Sequence, residues 1–425
     1  MRKHGDEIMA VNCTVAYDNI MNLPRLIPTA VCTVVITLSG FSQAAIAQDQ
    51  ASSIISPQSE QEELDELIQA LGAGGFVERQ KAMQRLIEIG GASIPKLQQA
   101  MESPSREVRF RASKVLELVK DRDFERSLQL FLRAENGGDA IPGWSALKGI
   151  VGEEGDARRI LVEMHRAEPK IMRLLEVAPK TVSRLVSERT HQIQRTPQNL
   201  LGKLSSANMA AILLATKLEG VTLSDLNMRY VASLMSHQLF SKELVSRDPQ
   251  KGYIPVRGVR SDMFRKLVAS VLLDLKGTAL QIGLSVALRY DIQDGLVAAD
   301  RALNDKNLPC HVRQYALMLY GKFGNPSHII RLMQLLDDAS FCGTTQTVDK
   351  IKYSTQIRDV ALATIILIAK ADHKKFGFDR IRLSGTSFTL NTIGFADDET
   401  RKKAKEAWLA HWAESKEAIL SSGSK

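Results

Sequence analysis

The side chains that could do chemistry in this chain are few, and their spacing argues against most of it. Cys310–His311 sets a thiol beside an imidazole, the residue types of a nucleophile and its activating base. Neighbouring residues on a helix point about 100° apart, so that base would not reach that sulfur. Asp372–His373 is isolated in the same way. His165 follows Met164 on a helical stretch, two residues after Glu163, and no second ligand stands at metal-site spacing. It reads as a structural histidine beside an interhelix groove. Gly72, Gly74 and Gly75 could cradle a phosphate, but the Lys-Ser/Thr that must follow is missing, and a helix stop explains them. The sequence contains no H-E-x-x-H, Cys-x-x-Cys-His, G-x-S-x-G or strand-borne G-x-G-x-x-G. The expectation is a chain without catalytic residues, cofactor-binding residues or metal ligands.

Residues 1–47 read as a removable signal peptide. Arg25 precedes an apolar run from Leu26 to Leu38, followed by the small and polar stretch Ser39 to Ala47. Ala45–Ile46–Ala47 is the A-x-A arrangement that a signal peptidase reads, with cleavage before Gln48. An internal start at Met21 would make the leader compact. A retained membrane anchor competes, weakened by Pro28, Gly40 and Gln43. The expected location is the periplasm or the exterior of a Gram-negative-type bacterium. Removing the leader removes Cys13 and Cys32 and leaves Cys310 and Cys342, an even pair in an exported chain. A disulfide between them would close a loop of about 32 residues, worth roughly 3–4 kcal/mol. Two buried thiols that never meet are the alternative.

The elements that must position these residues announce themselves by a recurring phrase. Arg, two variable residues, Ala, three variable residues and an apolar residue occur as Arg79–Ala82–Leu86 and Arg109–Ala112–Leu116. The phrase returns as Arg313–Ala316–Tyr320 and Arg358–Ala361–Ile365. This spacing puts each Ala and the later apolar residue on one helix face, with Arg at its edge. The Arg side chains are expected to pair with carboxylates or helix ends and fix the stacking of units. Around the first two phrases, helices are expected at 76–89, 92–101 and 106–120, separated by Gly90–Gly91 and by Ser103–Pro104–Ser105. Further helices are expected at 169–193, 206–219, 224–245, 262–275, 277–290, 292–304, 310–321 and 326–337, and a last one at 398–420. Aromatic residues make up only 5% of the chain, which favours helix-on-helix packing through aliphatic side chains.

The segment carrying Arg79, Ala82, Leu86 and Gly90, then Ile94–Pro95–Lys96–Leu97, then Val108–Arg109 with Ala112, resembles HEAT repeats. The resemblance returns at 309–336 and 355–370, and it implies an all-α fold, an armadillo-like α-solenoid of helix pairs with an extended surface. The run Ile141–Pro142–Gly143–Trp144 is similar to a segment of exported bacterial HEAT-like proteins of unassigned function. The expected organisation is a disordered lead-in at 48–61, N-terminal repeats at 62–138 and a divergent helical region at 139–308. C-terminal repeats follow at 309–425, with an insertion at 371–397 and a terminal capping helix. In that helix Trp408, Leu409 and Trp412 face inward, while Arg401, Lys402, Lys403 and Lys405 lie outside. Within the insertion Ile381, Leu383, Phe388 and Leu390 would share one face of a small β-hairpin turning at Gly385–Thr386.

The formal charge of +8 comes from 56 basic and 48 acidic residues, interspersed along the chain. So diffuse an excess makes nucleic acid an improbable partner, since that would call for concentrated basic patches with stacking aromatics. Two loop-rich interruptions, 246–261 and 371–397, concentrate cations without a repeat role. Arg257, Arg260, Lys374, Lys375, Arg380 and Arg382 are therefore the candidate surface for an anionic partner. The function expected is a non-enzymatic scaffold or binding protein, with a protein partner first and an anionic polysaccharide or envelope surface second. An enzyme or enzyme-associated module with a site in the solenoid groove is the alternative.

Overall fold

The computed structural model describes residues 57–133, 141–153, 155–197, 204–248, 252–384 and 387–422. The chain divides into Met1–Glu60 and Gln61–Lys425, and the packing described below is that of the second unit. The leader at 1–47 lies outside the described residues. The fold is predominantly helical. Among the described residues no helix is long and apolar enough to cross a membrane.

Helix α1 (Pro57–Ala70) starts earlier than the expected 62, inside what the sequence assigned to the lead-in. Pro57 is pre-set for a first helical turn, and Glu60 favours its N-terminal dipole. Helix α2 (Phe76–Ile89) buries Ala82, Met83 and Leu86 and stops at Gly90, where φ is 72°. A 3-10 turn, Gly90–Ser93, leads into α3 (Ile94–Ala100), with proline in its first turn. Ser105 caps the next helix by accepting from the Val108 N–H. That helix, α4 (Arg106–Leu132), does not stop at 120, because neither glycine nor proline interrupts Asp121 to Leu132. Its first half buries Val108, Ala112, Val115 and Val119 in an N-terminal core with Leu71, Leu86 and Leu97. Its last turns place Leu128 and Phe131 in the larger core of the remaining chain. The break between cores thus falls inside one helix.

The middle of the unit contains α5 (Trp144–Val151), α6 (Gly155–Ala167), α7 (Pro169–Met172), α8 (Pro179–Arg195) and α9 (Ser206–Ala215). Then come α10 (Asp225–Met235), α11 (Gln238–Leu244), α12 (Val259–Leu272), α13 (Gly277–Tyr290) and α14 (Gly295–Asn304). Two expected helices are each divided. Pro179 drives Ala178 to φ −146° and ψ 63°, which separates α7 from α8. His237 turns extended and its Nδ1 accepts from the Leu239 N–H, which separates α10 from α11. Every residue of α9 is buried, because α6, α7, α8, α10, α11 and α12 all pack on it.

The C-terminal part contains α15 (Cys310–Phe323), α16 (Ile329–Met333), α17 (Ile357–Ile368) and α18 (Asp398–Ser421). Packing runs in chain order: α2 on α4, α4 on α6, α6 on α9 and α9 on α12, beside α8 on α10, α10 on α13, α13 on α15 and α15 on α17. Three antiparallel two-stranded ribbons interrupt it: β1 (Val245–Asp248) with β2 (Gly252–Pro255), β3 (Phe341–Val348) with β4 (Ile351–Gln356), and β5 (Leu383–Ser384) with β6 (Ser387–Phe388). The last falls where a hairpin was expected, but its face is not uniformly apolar-in. Leu383 is half exposed although its register partner Phe388 is buried, because β6 packs on α15. The turn Gly385–Thr386 lies outside the described residues.

Candidate functional site

The recurring arginines split into two kinds. Arg79 Nη1 donates to the carbonyls of Ala73 and Gly74, both at 2.8 Å. Arg109 Nη1 donates to those of Ser103 and Pro104, at 2.7 and 2.9 Å. Each thus closes the loop leading into its own helix, and neither uses a carboxylate. Arg313 is buried and pairs with Asp338, beyond α16. Arg358 donates through Nη2 to Asp398 Oδ1 at 2.6 Å, at the start of α18. Ala82, Ala112, Ala316 and Ala361 are all buried.

The six basic candidates do not form one surface. Arg260 lies between two carboxylates, donating to Glu163 at 2.8 Å and to Glu243 at 3.2 Å, with its guanidinium over the Phe264 ring. Burial is the largest single influence on its pKa and lowers it, but the hydrogen bonds and charges of Glu163 and Glu243 together raise it above the ordinary value. Arg257 pairs with Asp291 at 2.8 Å. Arg380 stacks on Tyr353 at 3.6 Å and donates to Gln346, a register pair of β3 and β4. Arg257 thus ties the loop after β2 to the end of α13, Arg260 ties α12 to α6 and α11, and Arg380 braces the β3–β4 ribbon, so these three candidates for an anionic-partner surface already carry structural pairings. Lys374, Lys375 and Arg382 remain exposed.

A cleft of about 400 Å³ opens between the end of α16, α17 and α18. Its floor is the buried pair Asp359–Arg401, with Arg401 Nε at 3.0 and 3.1 Å from the two carboxylate oxygens. Arg401 is therefore not on the outer face of α18. Seven residues separate it from Trp408, two helical turns, so both point inward. Its Nη1 donates to Asp398 at 2.7 Å, and its Nη2 donates to the Ser354 carbonyl at 2.6 Å and Oγ at 2.8 Å. Asp359 also accepts from the Gln356 N–H at 2.9 Å, in a capping box at the start of α17. Burial is the largest influence on Asp359 and pushes its pKa up to about 6, against the pull of Arg401 and of that N–H. Leu336, Leu362 and Phe395 supply apolar wall, while Arg358, Lys402 and Lys405 stand round the opening.

The floor depends on the β3–β4 ribbon. Ser354 and Phe395 exchange backbone hydrogen bonds at 3.0 and 3.2 Å. At Gly394 a Cβ would lie 2.5 Å from the Ser354 carbonyl oxygen, so only glycine allows that approach. The same ribbon is tied to α15 by the Cys310–Cys342 disulfide, whose Cα atoms are 5.0 Å apart. Beside it, the Ile357 and Arg358 N–H groups donate to the Ser340 and Asp338 carbonyls at 3.0 and 2.9 Å. The disulfide therefore anchors the segment that receives the start of α17.

His165 is buried elsewhere, against Phe124, with Nε2 2.9 Å from the Pro142 carbonyl oxygen. Burial pushes its pKa down to about 4, so it is neutral near pH 7 and donates to Pro142. It thereby holds the Pro142–Gly143–Trp144 segment. Among the described residues no group of His, Cys, Asp and Glu could hold a metal ion.

No family model and no curated protein matches this chain.

Sequence reasoning missed the cleft because it placed Arg401 with its exposed neighbours and left 341–354 unassigned. The helical spacing of Arg401 and Trp408 was the usable signal. For the ribbon, Thr345 to Val348 and Ile351 to Thr355 carry β-branched and aromatic residues around Asp349–Lys350. Both turn residues have positive φ, 49° and 67°, a two-residue geometry usually marked by Asn-Gly.

Proposed function

We propose that the chain is an exported, non-enzymatic binding or scaffold protein, built as an α-solenoid of HEAT-like pairs at its ends around a more compact centre. The observation that carries this reading is the packing in chain order from α2 to α17, in which the terminal helices such as α2 and α4 bury one stripe and leave their other faces to solvent. Phe76 and Phe110, on the outer faces of α2 and α4, are 65% and 67% exposed, the kind of surface a protein partner covers. A site in the helical groove would need an available acid, base or nucleophile. Cys310 is in a disulfide, His165 is committed to Pro142, and both oxygens of Asp359 accept from Arg401. These commitments weigh for binding over catalysis.

The test is crosslinking of the tagged full-length protein in its native envelope, with photoreactive residues at positions 76 and 110 and mass spectrometry of the adducts. The expected result is a reproducible adduct with one protein. Recovery of uncrosslinked chain from both positions, in a preparation shown to be folded, would remove the protein-partner reading. With the photoreactive residue placed instead within 246–261 or 371–397, a glycan adduct would favour the anionic polymer.

A further inference from the structure

The cleft at α17 and α18 has a charge arrangement that the stacking of helices does not require. Its lining carries four cations, Arg358, Arg401, Lys402 and Lys405, against three carboxylates, Asp337, Asp359 and Asp398. Two of the three carboxylates are already answered. Asp359 is held by Arg401, and Asp398 accepts from both Arg358 and Arg401. The cations at the opening are less committed. Lys402 reaches Glu406 only at 3.9 Å, with both side chains largely in water. Lys405 pairs with Asp337, which is 86% exposed and so weakly held. Arg358 uses Nε for Gln356 and Nη2 for Asp398, and among the described residues its Nη1 donates to no protein acceptor.

We propose that this cleft binds a small ligand carrying a phosphate group, through Arg358 from α17 and Lys402 and Lys405 from α18. A cleft of about 400 Å³ is within the size range of small-molecule sites and too small for a folded partner. A dianion suits it better than a monoanion. It can draw both lysines from their exposed carboxylate partners, while Arg358 offers its remaining N–H groups in a fork suited to phosphate. A cation is disfavoured, because both oxygens of the buried Asp359 already accept from Arg401, and Asp398 Oδ1 accepts from Arg358 and Arg401. The proposal uses residues remote from Phe76 and Phe110 and stands apart from the protein-partner reading.

The experiment is calorimetric titration of the folded full-length protein with inorganic phosphate and, separately, with acetate. Single-site phosphate binding is expected, with acetate weaker. Lys402→Gln combined with Lys405→Gln should weaken phosphate by about tenfold or more, since a hydrogen bond to a charged group contributes about 1.5–3 kcal/mol and 1.4 kcal/mol is tenfold. Lys402→Gln alone, at a position largely in water, gives a smaller loss without any risk to folding. Lys403→Gln, on α18 but paired with Glu399 outside the cleft, should leave binding unchanged. Absence of phosphate binding at millimolar concentration would overturn the proposal. So would equal affinity in the double variant, or acetate binding as tightly as phosphate.

Discussion

The same Arg–Ala–apolar phrase does different work at the two ends of the molecule. Near the N-terminus the partly buried Arg79 and the exposed Arg109 bond carbonyls five and six residues back, so each finishes its own loop. Near the C-terminus Arg313 and Arg358 reach carboxylates 25 and 40 residues ahead, Asp338 and Asp398. The alanines and later apolar residues are buried in all four cases. The phrase thus fixes which face is buried, and the neighbouring element decides what the arginine holds. At the N-terminal end that neighbour is a short turn. At the C-terminal end it is a ribbon, a disulfide and a charged cleft.

The largest effect should come from the buried pair. Arg401→Met leaves Asp359 without its cation and removes the bonds to Ser354 and Asp398, so urea denaturation should show a loss of about 3–5 kcal/mol. A loss below 1 kcal/mol would show that the C-terminal network is no more demanding than the N-terminal loops. Replacing Cys310 and Cys342 by Ser should cost roughly 3–4 kcal/mol by the loop-entropy estimate. It should also speed hydrogen exchange at the Ile357 and Arg358 amides while leaving α2 unaffected. Equal acceleration in both regions would break the separation of the two cores.

The pH response separates Asp359 from His165. The folded pKa of Asp359, about 6, lies above its unfolded value near 3.9. Its contribution is therefore unchanged below pH 4, becomes less favourable as pH rises to 6 and is flat above that. The folded pKa of His165, about 4, lies below its unfolded value near 6.5. Its contribution is fully present above pH 6.5 and is lost as pH falls towards 4. Asp359→Asn should therefore gain on the wild type between pH 4 and pH 6, and His165→Gln should gain on it as pH falls from 6.5 to 4. Stability curves at pH 4.5 and pH 7 check both signs. The smallest effect is Arg79→Met, expected at about 1 kcal/mol by the same measurement, since only loop hydrogen bonds at a partly exposed site are lost.

Much of the fold was legible locally. Helices α2, α13 and α18 lie where glycine stops and apolar spacing put them, because their boundaries are set by residues within one turn. The boundaries that failed were set by less obvious local chemistry, such as Pro179 acting on Ala178 and the self-capping His237. The site was less legible. Six basic residues were singled out for lying outside the repeats, yet Arg257, Arg260 and Arg380 are held by Asp291, by Glu163 with Glu243, and by Tyr353 with Gln346. A linear pattern shows that a cation lacks a repeat role but not that a carboxylate 97 residues away meets it.

What the sequence by itself determined is the helical character, the buried alanine face of each phrase and two of the places where the helices are interrupted, 246–261 and 371–397. These follow from periodicity and from the conformational limits of glycine and proline, which act within a few residues. Only the tertiary structure decided that Cys310 meets Cys342, that Arg401 turns inward to Asp359 and that a cleft opens above them. Those outcomes depend on the distance between groups 32 and 42 residues apart, which is set by how α15, the β3–β4 ribbon, α17 and α18 pack together.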